Sequence, residues 1–197
     1  MKTQMRFQKI LMYVSLVVAA LTFVFGLIFL SGSMAYATHY TGGNSIGAEK
    51  LVEKSQAFVE TMVAVGITFI VLAALLFVTS SHSRKNYYIT NYIAVGLFVA
   101  FAMFMAIFIM IKVTTLMGMF YNDITWDNVA DKIAALAGLY PIKKSDNYPF
   151  IIGYIVAALT IFDALLVVLC TVWKVLLMKG EKKLLEGSAK VEAEEVA

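Results

Sequence analysis

Asp163 is the residue of this sequence best placed to do chemistry, because it interrupts an apolar run long enough to cross hydrocarbon. It falls about 13 residues into the last of four such runs, near the depth of a bilayer midplane. An ionised carboxylate there costs several kcal/mol, so Asp163 is expected to face other helices and find a partner, or to stay protonated. Two readings of it stand side by side. It is a proton or cation site, or it is a hydrogen-bonding tie between helices, with Thr160 one turn away and Thr22 and Thr68 at similar depth as candidate partners. A proton relay normally holds more than one polar group, and no second acid lies in that run.

Other reactive residue types are too scattered to form a site. His39 and His82 are expected on opposite sides of the membrane and cannot share a metal. Asp123, Asp127 and Asp131 recur every four residues, which places them on one solvated helix face; calcium would need more oxygens, closer together. Cys170 is the single cysteine, so no intrachain disulfide can form, and a packed thiol is the simplest reading. Lys112 lies near the end of the third run, where its stem can snorkel to the headgroups. There is no G-x-S-x-G, H-E-x-x-H, phosphate-binding loop or dinucleotide fingerprint. The expectation is a protein without catalytic residues, cofactor or metal.

Four elements must position Asp163. Apolar runs cover about 10–32, 58–81, 89–117 and 149–178, each near or above the roughly 20 residues that span a hydrocarbon core. Hydrophobic residues make up 61% of the 197 and charged ones only 15%, too few for a soluble domain beside the spans. Residues 1–180 are therefore expected to form one membrane domain and 181–197 a charged tail. Basic residues set the orientation. Lys2, Arg6, Lys9, Arg84, Lys85, Lys174, Lys179, Lys182, Lys183 and Lys190 fall on one side, ten of the 16 Lys and Arg. The opposite loops carry Glu49, Glu53, Glu60, Asp123, Asp127, Asp131 and Asp146. Both termini are expected in the cytoplasm, with the chain in the plasma membrane. The net charge of +3 reflects flanks lying beside anionic lipid and points away from nucleic acid. A rival reading takes residues 2–37 as a signal peptide ending at Ala35-Tyr36-Ala37, but the apolar stretch is longer than the usual h-region.

The loops carry their own signals. After Ser31-Gly32-Ser33 the chain is expected to leave the first span and turn at Gly42-Gly43. Helical pattern resumes near Gly47 and should run unbroken into the second span. In the second outer loop Trp126, Val129, Ile133, Leu136 and Tyr140 recur at steps of three and four, an amphipathic helix suited to the membrane surface or a partner. Pro149 suits the first turn of the last helix, which is expected to fray about two turns beyond residue 180. Tyr87, Tyr88, Tyr92 and Trp173 read as one interfacial belt, and Tyr36, Tyr40, Tyr121, Trp126, Tyr140 and Tyr148 as the other. Phe98, Phe101, Phe104 and Phe108 descend the third helix as a packing or lipid face. Gly96 with Ala100, Ala102 with Ala106 and Gly153 with Ala157 are small-x-x-x-small pairs that let helices approach closely.

The expected fold is all-α, an integral membrane four-helix (tetraspan) bundle with a short amphipathic helix in its second outer loop. In outline it is similar to tetraspan families such as claudins, tetraspanins and MARVEL proteins. Its loops contain no cysteine, so the disulfides of claudins and tetraspanins have no counterpart, and thiol chemistry of the quinone-linked four-helix type is excluded. Three functions follow as expectations: an accessory or scaffolding subunit of a larger membrane complex; a homo-oligomeric channel or small carrier using Asp163; and an intramembrane enzyme, for which the paired acids or His cluster are missing. The first is favoured. Its partners would be the lipid bilayer and other membrane-protein subunits or further copies of itself.

Overall fold

Hydrocarbon cannot hydrogen-bond a peptide group, so a spanning chain must satisfy its backbone within its own helices. The computed structural model of the chain describes residues 2–40, 46–81, 87–124, 145 and 147–195, almost all of them helical. The helices are α1 (Lys2–Tyr40), α2 (Ile46–Ser81), α3 (Tyr87–Asn122) and α4 (Tyr148–Glu195). All four are long and apolar enough to cross a membrane, over Arg6–Phe29, Lys50–Ser80, Ile89–Asn122 and Tyr148–Gly180.

Each helix packs mainly on two neighbours, α1 on α2 and α4, and α3 on α2 and α4. Ring contacts show that neighbours run antiparallel. Tyr13 meets Phe77 while Phe25 meets Phe58, and Phe7 meets Trp173 while Phe29 meets Phe150. The bundle is therefore up-down-up-down, and the start of α1 lies at the same end as the last turns of α4. This is called the terminal end below, and the other the loop end.

The interior divides into two clusters. Toward the loop end, Phe25, Phe29, Phe58, Phe120 and Phe150 interlock, with Phe29 edge-on to Phe58 at 5.2 Å and Phe120 beside Phe150 at 5.3 Å. Toward the terminal end the core is built of smaller side chains, Ala19, Ala73, Ala94, Ala102 and Ala164, around a stacked Phe69–Phe98 pair. Gly153 is where two helices need room. A Cβ there would lie 2.7 Å from Val113 Cγ2 and 2.9 Å from Phe25 Cζ, and both neighbours are buried.

Three boundaries depart from the sequence reading. The helix α1 runs through Gly32 to Tyr40 instead of ending at Ser31–Ser33. One glycine costs a propagating helix about 1 kcal/mol, and the Met and Ala that follow sustain it. It also starts at Lys2, eight residues before the apolar run. The helix α4 continues to Glu195 rather than fraying two turns past 180. The tail is rich in strong helix formers, and Lys182–Glu186 and Glu186–Lys190 are opposite charges at i,i+4. The second helix does run unbroken from the loop into its span. Pro149 sits in the first turn of α4, where the Asn147 carbonyl accepts from the Phe150 and Ile151 amides and Asn147 Nδ2 donates to Tyr121 Oη of α3 at 2.7 Å. The expected amphipathic helix over 126–140 lies outside the described residues.

Replacing Gly153 by Ala is expected to lower stability by about 1–3 kcal/mol, as overpacking does. Gly96→Ala meets nothing within 4 Å and is expected to be neutral or mildly stabilising, by up to about 1 kcal/mol. Unfolding titrations of the two variants in mixed micelles check this contrast.

Candidate functional site

Side chains of Ser and Thr inside hydrocarbon usually satisfy themselves on the carbonyl one turn back. Thr22 donates to Val18 O, Thr160 to Val156 O and Thr171 to Val167 O, each within 2.9 Å. A carboxylate has no such option, because it accepts and its own helix offers no free donor. Asp163 is 2% exposed. Its Oδ1 accepts from Ser15 Oγ of α1 at 3.0 Å, and its Oδ2 has no hydrogen-bond partner among the described residues.

Ser15 is fully buried and also lies 3.1 Å from the Leu11 carbonyl. A hydroxyl has one hydrogen to give, so Ser15 serves either Asp163 or Leu11 at a given moment. An ionised Asp163 takes that hydrogen. A carboxyl protonated on Oδ1 donates to Ser15 Oγ, and the serine hydrogen turns to Leu11 O. The same atoms accommodate both states without moving a helix.

Thr22 and Thr160 are buried and line the same interior, but they bond to their own helices. Thr68 is a correction. It is exposed on α2 and donates to Ala64 O, turned about 100° away from its buried neighbour Phe69. Lys112 is exposed, with its Nζ 5.9 Å from the Phe108 ring centroid. Of the small-residue pairs, Ala102, Ala106, Gly153 and Ala157 are buried inside the bundle, whereas Gly96 and Ala100 face outward. The Phe ladder of α3 also crosses from inside to outside, from Phe98 fully buried to Phe104 at 55% exposure. The residues Trp126, Val129, Ile133, Leu136 and Tyr140 lie outside the described residues.

The partner of Asp163, Ser15, was not among the expected ones. Its signal is a seven-residue spacing, Gln8, Ser15 and Thr22, which keeps three polar side chains on one helix face. Toward the terminal end this face meets further buried polar groups. Gln4 Nε2 donates to Gln8 Oε1 at 3.1 Å. Ser80 donates to Asn91 Oδ1 at 2.9 Å, linking α2 to α3. A cavity of about 10 Å³ lies among Gln8, Met12, Asn91, Cys170, Thr171 and Lys174, room for about one water. Among the described residues, no group of three or more His, Cys, Asp or Glu side chains could hold a metal ion.

The fold and this interior define a four-helix, multi-pass membrane protein with one buried carboxylate among the described residues. No family model matches the chain, nor does any curated protein or any solved structure.

Ser15→Ala removes the only hydrogen-bond partner of the Asp163 carboxyl group among the described residues and is expected to cost about 1–3 kcal/mol. Combining it with Asp163→Leu should cost clearly less than the two single changes added together, because the orphaned oxygen goes with the acid. Thr68→Ala, on the outward face, should stay within about 0.5 kcal/mol of the parent chain. Unfolding in mixed micelles reads out all of these.

Proposed function

We propose that this chain is a non-enzymatic accessory or scaffolding subunit of a larger membrane-protein complex. It would sit in the cytoplasmic membrane, with both termini in the cytoplasm on the side that carries ten of the 16 basic residues. The observation that carries the reading is the outward face of α3. Gly96 and Ala100 lie there side by side, exposed, between Ile93, Leu97 and Phe104. A Cβ built at Gly96 meets nothing within 4 Å, so the bundle does not need the small residue. In hydrocarbon the use of such a pair is the close approach of another helix. The amphipathic segment 126–140 expected from the sequence would supply a second contact at the membrane surface.

A second reading, a homo-oligomeric channel or small carrier using Asp163, draws on the unpartnered Oδ2. The interlocked phenylalanines between Asp163 and the loop end weigh against a path through a single bundle. A pathway would have to form between copies.

Purification from the native membrane in mild detergent, followed by mass spectrometry and native mass, is expected to recover other membrane subunits in fixed ratio. Gly96→Leu should reduce that recovery at least several-fold without reducing insertion, and Ile133→Asp should do the same if 126–140 docks. A particle made only of this chain would overturn the accessory reading and favour the channel.

A further inference from the structure

We infer that Asp163 and Ser15 form a buried proton-binding pair that exchanges with the aqueous phase at the terminal end of the bundle and not with the loop end. The inference stands apart from the accessory reading, since a subunit of a complex and a lone bundle could both carry it.

Three observations converge on it. The first is the pair itself. Asp163 is 2% exposed, one of its oxygens has no partner, and the other shares a hydroxyl with Leu11 O. The second is the buried interior of this half of the bundle. There α1 carries Ser15 and Thr22, α2 Phe69 and Ala73, α3 Phe98 and Ala102, and α4 Thr160 and Ala164. None of these is charged, and Asp163 is the only buried acid among the described residues. The nearest titratable groups on its own helix are Cys170 and Lys174, seven and eleven positions toward the terminal end, and Tyr154, nine positions toward the loop end, whose hydroxyl pairs with Thr114 of α3 at 2.8 Å. Lys9 of α1 lies beyond Met12 at that same end. A single hydroxyl is far short of the oxygen shell that a metal cation needs, so the ligand is a proton.

The third observation is the asymmetry along the bundle. Toward the loop end, Phe25, Phe29, Phe58, Phe120 and Phe150 fill the interior. Toward the terminal end, Leu11, Met12 and Val167 belong to the cluster of smaller side chains, and the small cavity beside Cys170 has Gln8, Asn91, Thr171 and Lys174 in its lining. Cys170 is seven residues from Asp163, about 10 Å along the helix at 1.5 Å per residue. Met12 and Ser80 wall that cavity, and they also wall a groove of about 110 Å³ that opens beside Lys9, Tyr13 and Phe77. Met12 is an unbranched, flexible side chain, the kind that can swing aside to admit a water. The proton reaches Oδ1 from water at this end. The new O–H then donates to Ser15 Oγ, whose hydrogen turns from Asp163 to Leu11 O.

The test uses the full chain in sealed vesicles whose orientation is set by protease access to the C-terminal tail. Infrared difference spectra are recorded after an acid jump on one side. The expected result is a protonated-carboxyl carbonyl band that grows after a jump on the terminal side and responds at least tenfold more slowly to a jump on the loop side. Asp163→Asn should abolish it, and Ser15→Ala should keep it at a shifted frequency. In the unsubstituted chain, dicyclohexylcarbodiimide should leave an adduct on Asp163, and raising the pH on the terminal side should suppress it. A band that is absent, that ignores pH or that answers equally from both sides overturns the inference. So does the absence of the adduct in the unsubstituted chain, which depends on no variant folding.

Discussion

The constraint beneath the rest of this structure is that a bilayer core offers no hydrogen bonds, so every polar group carried into it must find its partner within the protein. The helices meet it for the backbone, and most buried side chains meet it locally. Thr22, Thr79, Thr160 and Thr171 bond one turn back on their own helices. Gln4 pairs with Gln8, and Ser80 with Asn91. Asp163 cannot follow suit, because an acceptor gains nothing from a carbonyl. It reaches across to α1 for Ser15 and still leaves Oδ2 without a partner. That single shortfall is why the middle of the bundle carries the chemistry.

Packing reinforces the division. Large rings at the loop end fill space by edge-to-face contact, an arrangement that favours interlocking and excludes water. Alanines at the terminal half let the helices close around a seam that contains Gln8, Ser15 and Asp163. The two halves solve the same problem, filling a bundle interior, with opposite side-chain sizes. Their boundary falls at the level of Thr22 and Thr160, just beyond the acid.

Much of this was legible in the residues alone. The four spans, their helical class and the isolation of Asp163 follow from four apolar runs, the last interrupted by one acid. The partner of Asp163 was harder to find. Counting the first span from residue 10 leaves Gln4 and Gln8 outside it and hides the seven-residue polar spacing that Ser15 completes. Thr68 shares the right depth but not the right face, and depth alone cannot separate the two, since neighbouring positions on a helix point about 100° apart. The small-residue pairs read alike in sequence, yet Gly153 and Ala157 serve the interior while Gly96 and Ala100 face outward. Only the rotation of each helix about its axis decides such cases, and an all-round apolar helix does not encode that rotation in its pattern.

The most direct measurement is therefore one of helix rotation and register at mid-depth. In a Cys170→Ala background, Ser15→Cys combined with Asp163→Cys should form an intramolecular crosslink with a short thiol-reactive or oxidising reagent in native membranes. Thr68→Cys combined with Asp163→Cys should not. A crosslink from position 68 and none from position 15 would contradict the arrangement of α1 against α4 on which the buried pair depends.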